Sequence, residues 1–179
     1  EEVPHAARDA KMRIIRVLAF LADRGLAGIT PYRADAEGAY LHTCHGRLWQ
    51  LVPYVAGVAL DRERYLHEGW RSAPLSRFLI DLKEASRGIP YFSPRERFSL
   101  TRYIRTLVSR IERYEPGLMP RLAPVLAFLE REFLEVHDAL PVGFCHGDYH
   151  PLNVIWGRRG IRAVIDWEFT GLKAEAYDL

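Results

Sequence analysis

The stretch that most constrains the fold lies near the C-terminus. Asn153-Val154-Ile155-Trp156 and Ile161-Arg162-Ala163-Val164-Ile165 are two short β-prone runs on either side of Gly157-Arg158-Arg159-Gly160. Apolar runs around a four-residue loop with two glycines read as a β-hairpin. A hairpin places whatever polar residues stand at its open end. If Trp156 pairs with Ile161, Asn153 lies opposite Val164 and Asp166 falls two residues beyond. At roughly 3.3 Å per residue, both polar groups then sit within about 7 Å along the strand direction. Asp148 precedes Asn153 by five residues, with Pro151 stiffening the loop between them. Two carboxylates and an amide oxygen therefore converge, a donor set suited to a hard cation such as Mg²⁺ that keeps other oxygen ligands.

Phosphoryl transfer needs these residue types. The transferred group is densely negative, so divalent cations bridge its oxygens while a positioned acceptor takes the hydroxyl proton. An aspartate on a rigid loop suits the second task, and an Asn–Asp pair suits the first. The run His146-Gly147-Asp148-Tyr149-His150-Pro151-Leu152-Asn153, followed by Ile165-Asp166-Trp167-Glu168, resembles the catalytic and metal-binding loops of the aminoglycoside phosphotransferase and choline kinase group. That group is a small-molecule branch of the protein-kinase-like fold. The resemblance implies that Asp148 is the catalytic base and that Asn153 and Asp166 hold magnesium. It implies also that His146 buttresses the loop, that Glu168 assists the metal site, and that the aspartate of Tyr177-Asp178-Leu179 is structural.

The earlier residues fit this resemblance in their order. A helix over Ala6–Arg24 carries Ile14, Ile15, Leu18, Leu21 and Ala22 at helical spacing and stops at Gly25. Tyr40–Cys44 and Leu48–Val52 read as a hairpin turning at His45-Gly46. Pro53–Gly57 then breaks the strand. By resemblance these are the regulatory helix, the last strands of a small lobe, and a hinge whose backbone at Val52, Tyr54 and Val55 reads adenine. Long helices follow. One is expected over Arg62–Ser86, with a stripe of Leu75, Phe78, Leu79 and Leu82. A second opens at the capping box Ser93-Pro94-Arg95-Glu96 and buries Ile104, Leu107, Val108 and Ile111. A third runs over Leu118–Ala139, with Leu122, Val125, Leu126, Leu129 and Phe133, and with Pro124 disturbing its start.

The expected fold is thus α+β and protein-kinase-like. Residues 1–57 form a partial N-terminal lobe and hinge, and residues 58–179 a mostly helical lobe carrying the catalytic hairpin. No glycine-rich phosphate loop or strand lysine precedes the first helix. That helix also has no convincing glutamate to pair with such a lysine, since Asp9 is its only acid before Asp23. The chain does not begin with Met and reads as a piece of a longer kinase, one that alone binds nucleotide weakly or not at all.

The expected activity is ATP- and Mg²⁺-dependent transfer of the γ-phosphate to a hydroxyl of a small molecule. Aminoglycosides, choline, sugars and homoserine all remain open as acceptors. Two other classes stand beside it: a pseudokinase or nucleotide-binding module without turnover, and a metal-dependent hydrolase built on His146, Asp148 and His150. A zinc site on His42-Thr43-Cys44-His45 lacks the second ligand pair that structural zinc needs. Trp49, Trp70, Trp156 and Trp167 read as packing residues.

Charge excludes more than it suggests. With 25 basic and 23 acidic side chains, there is no nucleic-acid footprint, and Arg95, Arg97, Arg102, Arg105, Arg110 and Arg113 read as a solvated face. No run reaches the roughly 20 apolar residues of a membrane span, and the N-terminus has no signal-peptide pattern. Two distant cysteines, Cys44 and Cys145, fit a reducing cytoplasm.

Overall fold

The structure is a computed structural model that describes residues 2–4 and 7–179. The first helix, α1, spans Arg8–Asp23 and buries Ile14, Ile15, Val17, Leu18 and Leu21 along one face. It ends where Gly25 takes φ +78°, a conformation that costs glycine little. The expected start at Ala6 lies outside the described residues. Strand β1 (Glu2–Val3) pairs antiparallel with β3 (Arg47–Trp49), which pairs in turn with β2 (His42–Cys44). His45 and Gly46 both have positive φ, as a two-residue hairpin turn with right-handed twist requires. These strands are shorter than the sequence pattern suggests. Beyond Trp49, pairing among the described residues continues as a bridge between Arg33 and Leu51.

Residues 52–57 lie in no regular element. The chain then meets the C-terminal hairpin, where the Val58 N–H donates to the Trp156 carbonyl at 2.7 Å. The helix expected over Arg62–Ser86 is only half helix. It begins as two 3₁₀ turns, Tyr65–His67 and Gly69–Arg71, and becomes α2 at Ser72–Ala85. Asp61 turns the chain by accepting from the N–H groups of Glu63 and Arg64. Gly69 opens the second turn, where its backbone freedom weighs against an α-helix. Arg71 then docks between the rings of Trp70 and Trp156, 4.4 Å from each centroid, which fixes a bend that periodicity does not encode.

The Ser93 capping box forms, with both reciprocal bonds present, but it caps a single 3₁₀ turn at Pro94–Glu96. The next helix, α3, starts later at Leu100–Tyr114, with Ser99 as its N-cap. The expected third helix is two: α4 at Met119–Glu132 and α5 at Leu134–Ala139, broken at Phe133. Pro124 is accommodated inside α4. The burial expected here is not found. Thr101 is the buried residue of α3, α4 has none, and Leu107 is 42% exposed.

Two antiparallel pairs close the chain: β4 (Val142–Cys145) with β7 (Gly171–Ala174), and β5 (Val154–Trp156) with β6 (Ile161–Val164). Trp156 pairs with Ile161 as expected, but a bulge shifts the rest, so Val154 and not Asn153 faces Val164. One core joins these parts. Val17, Leu18 and Leu21 of α1, Phe78 and Leu82 of α2, and Val154, Trp156 and Val164 of the hairpin belong to the same buried cluster. Helix α1 therefore packs directly onto the element that carries the polar loop.

Candidate active site

The loop between β4 and β5 is held from below. The Asp178 carboxylate accepts from the His146 N–H at 2.6 Å and from the Gly147 N–H at 2.8 Å. Gly147 has φ +90°, and a Cβ there would collide with the Phe169 carbonyl, so only glycine fits. His146 is fully buried. Its Nδ1 accepts from the Asp148 N–H at 3.3 Å and its Nε2 donates to the Ile165 carbonyl at 3.0 Å. The ring thus clamps the segment just after β6 to the loop. Burial, first of all, holds its pKa below the usual histidine value, consistent with a neutral ring that donates once and accepts once. Tyr149 adds a further tie, stacking on Phe78 and donating to the Leu75 carbonyl at 3.0 Å.

Above this base the polar groups gather. Asn153 Nδ2 donates to Asp148 twice, to the backbone carbonyl and to Oδ2, each at 2.9 Å. The amide nitrogen is thereby used up on Asp148, which turns Oδ1 toward other work. The bulge brings Asn153 nearer to Asp166 than the unbulged register would, because the Ile165 N–H donates to the Asn153 carbonyl at 2.9 Å. Asp166 itself has φ +66° and ψ +59°. A non-glycine residue seldom adopts this left-handed geometry, and it is most often seen where a site demands it. A hydrogen bond with Glu168, then partial burial, raises the Asp166 carboxyl to about 6. Two carboxylates held this close favour a shared proton or a cation.

His150 caps the short turn at Pro151–Asn153 through Nδ1, which accepts from the Leu152 N–H at 3.2 Å, and its Nε2 lies 3.6 Å from Asp148 Oδ1. It is a loop residue facing Asp148. Among the described residues no three His, Cys, Asp or Glu side chains surround a common metal position, and both ring nitrogens of His146 are engaged in hydrogen bonds. The oxygens of Asn153 and Asp166 fit instead a cation that draws its remaining ligands from a substrate and water. Burial pushes the Cys145 thiol up to about 12, which disfavours the thiolate.

Two lysines were missed by sequence reasoning. Lys11 on α1 is buried, and its Nζ donates to Glu168 Oε1 at 2.6 Å. The readable signal was a lysine three and four residues before Ile14 and Ile15, inside the apolar stripe. Lys173 on β7 is also buried, 4.4 Å from the Phe98 ring and 4.5 Å from the Tyr177 ring, with its Cε packed under Gly147. Nothing in its local sequence marks it. A cavity of about 960 Å³ opens between α2 and β4, lined by Leu79, Leu82, Phe92, Phe144 and Leu172, and by neither Asp148, Asn153 nor Asp166.

Comparison with known proteins shows the family and the fold. The model of the "Phosphotransferase enzyme family" matches residues 3–179. A homoserine kinase of Caulobacter sp. (strain K31) is 32% identical over 168 residues, covering 91% of this chain and 49% of that protein. A homoserine kinase of Methylobacterium radiotolerans is 31% identical, covering 92% and 50%. The chain thus spans about half the length of the curated relatives it matches. In structure it resembles the aminoglycoside phosphotransferase APH(2″)-IIa in its gentamicin complex (TM-score 0.69, 17% identity, 98% of this chain and 60% of that one). It also resembles a choline/ethanolamine kinase family protein of Mesorhizobium loti (TM-score 0.56, 17% identity, 93% and 53%). The fold is α+β and protein-kinase-like, and the chain belongs to the phosphotransferase enzyme family.

Proposed function

We propose that the full-length protein transfers the γ-phosphoryl group of ATP to a hydroxyl of a small molecule. In this reading Asp148 accepts the hydroxyl proton, and Asn153 Oδ1 and the Asp166 carboxylate hold Mg²⁺. The observation that carries it is the double hydrogen bond from Asn153 Nδ2 to Asp148, which orients the carboxylate and frees the amide oxygen in one stroke. Bound with ATP, Mg²⁺ would supply the positive charge that offsets the phosphoryl oxygens. The chain's own residues do the rest. His146 and Asp178 hold the loop so that Asp148 stays within reach of a hydroxyl, which is where most of the advantage of a positioned base lies.

Residues 1–57 then form the nucleotide-side lobe and hinge, and residues 58–179 the catalytic lobe. The backbone groups of Val52, Tyr54 and Val55 join none of the hydrogen bonds given by the described residues, which suits a hinge edge that reads adenine. Tyr54 is 92% exposed, so its part there is through its backbone. A homoserine-like amino alcohol is the first acceptor to test, because homoserine kinases match the chain over about nine-tenths of its length. Among the described residues no helix is long and apolar enough to cross a membrane. Free thiols at Cys44 and Cys145, together with the use of ATP, fit a cytoplasmic enzyme.

Replacing Asp148 by Asn in the full-length protein tests the assignment. Turnover should fall by about 10²–10⁴-fold with the melting temperature little changed. Near-normal turnover would show that Asp148 is not the base.

A further inference from the structure

Helix α1 offers no acid toward the site and presents Lys11 instead. This side chain lies on the buried face of α1, one turn before Ile14 and Ile15, and is 6% exposed. Its ammonium is 2.6 Å from Glu168 Oε1 and 5.9 Å from the centre of the Tyr32 ring. Glu168 stands in the 3₁₀ turn Trp167–Phe169, directly after Asp166, and α1 packs against that turn. Glu168 follows Asp166 by two residues, and it is the main influence that raises the Asp166 carboxyl. Helix α1 is thus tied through Lys11 and Glu168 to the turn that follows the carboxylate assigned to the metal.

We propose that Lys11 is a positioning residue for the metal loop. It anchors and neutralises Glu168, so that Asp166 and Asn153 alone serve the cation, and it ties the placement of α1 to the geometry of that site. The inference rests on the magnesium role given to Asp166 above. Burying an ammonium among apolar residues is unfavourable unless a carboxylate meets it, and Lys11 meets the carboxylate two residues beyond Asp166.

The sign of the expected effect separates this role from a structural one. Removing the positive charge leaves Glu168 as an unneutralised anion beside Asp166, so a divalent cation should bind more tightly, while Asp166 loses its fixed orientation and turnover falls. A loop that merely loosens would instead bind the cation more weakly. The test uses the full-length protein at pH 8, with Mn²⁺ binding measured by electron paramagnetic resonance without nucleotide or acceptor, alongside melting temperature and kcat.

Lys11→Met should tighten Mn²⁺ by about fivefold and lower kcat. Lys11→Arg should restore both, and the double variant Lys11→Met with Glu168→Gln should return Mn²⁺ affinity close to that of the wild type. If Lys11→Met cannot be purified, Lys11→Gln removes the charge, keeps a donor for Glu168, and should shift Mn²⁺ binding in the same direction. Unchanged or weaker Mn²⁺ binding in the charge-removing variants would overturn the proposal. Because the metal measurement needs no turnover, it reports on Lys11 even if the wild type fails to phosphorylate any acceptor, a result that would count against the functional reading instead.

Discussion

The segment from Val142 to Leu179 and the helical hairpin α3–α4 carry comparable amounts of apolar sequence, yet the structure treats them in opposite ways. In the first, Trp156, Val164 and His146 are almost wholly buried, and nearly every polar group of the loop has a named partner. In the second, Val125 and Phe128 remain more than half exposed and α4 buries nothing. The difference lies in what each can close against. The first segment folds back on α1 and α2 and is stitched across by hydrogen bonds of long sequence separation. Helices α3 and α4 each meet chiefly α5 and the short turn Pro116–Leu118, so their stripes are amphipathic without a second layer to cover them.

Gly147→Ala is the largest expected blow to the first region. The new Cβ faces the Phe169 backbone at a positive φ, so neither a rotamer change nor a small shift relieves it. A loss of about 3 kcal/mol or more is expected, read from chemical denaturation of the full-length protein. A loss below about 0.5 kcal/mol would mean that the loop is far less tightly determined than its contacts imply.

His146 gives a pH-dependent version of the same contrast. Burial holds its folded pKa below the usual 6.5, so above that value both folded and unfolded chains are neutral there and its contribution is complete. As pH falls below 6.5 the unfolded chain takes up a proton that the folded one resists, and stability declines by at most about 1.4 kcal/mol per pH unit. Comparing wild type with His146→Asn between pH 7.5 and 5.5 isolates this slope. If both lose stability in parallel, the buried ring is not its source.

The smallest effect should come from α4. Phe128→Ser in the full-length protein should cost less than about 0.5 kcal/mol, as exposed substitutions do. A loss of about 2 kcal/mol or more, the range of core truncations, would show that the remainder of the protein covers this face and would erase the contrast.

The candidate site was readable because its residues are close in sequence and their chemistry is specific. Asp148, Asn153 and Asp166 fall within one loop and one hairpin, so local geometry alone brings them together. The details that tune them were not readable. The bulge that moves Asn153 opposite Ile165 depends on how β6 packs, and the left-handed conformation of Asp166 would not be guessed for an aspartate. The helix expected over Arg62–Ser86 failed for a similar reason. Its pattern was helical, but Arg71 found a better place between two tryptophans, one of them 85 residues later in the chain.

Order of elements, the hairpin, the turn at His45-Gly46 and the identity of the polar cluster follow from residue type and spacing. These are short-range consequences of backbone sterics, turn chemistry and periodicity, and they need no knowledge of neighbours. Partnership across the chain was decided only by the tertiary structure: Lys11 with Glu168, Asp178 under His146 and Gly147, Lys173 beneath the loop between two aromatic rings. A buried charge or an unpaired backbone group must find a partner wherever packing brings one within about 3 Å. That choice depends on three-dimensional closure, which local spacing does not specify.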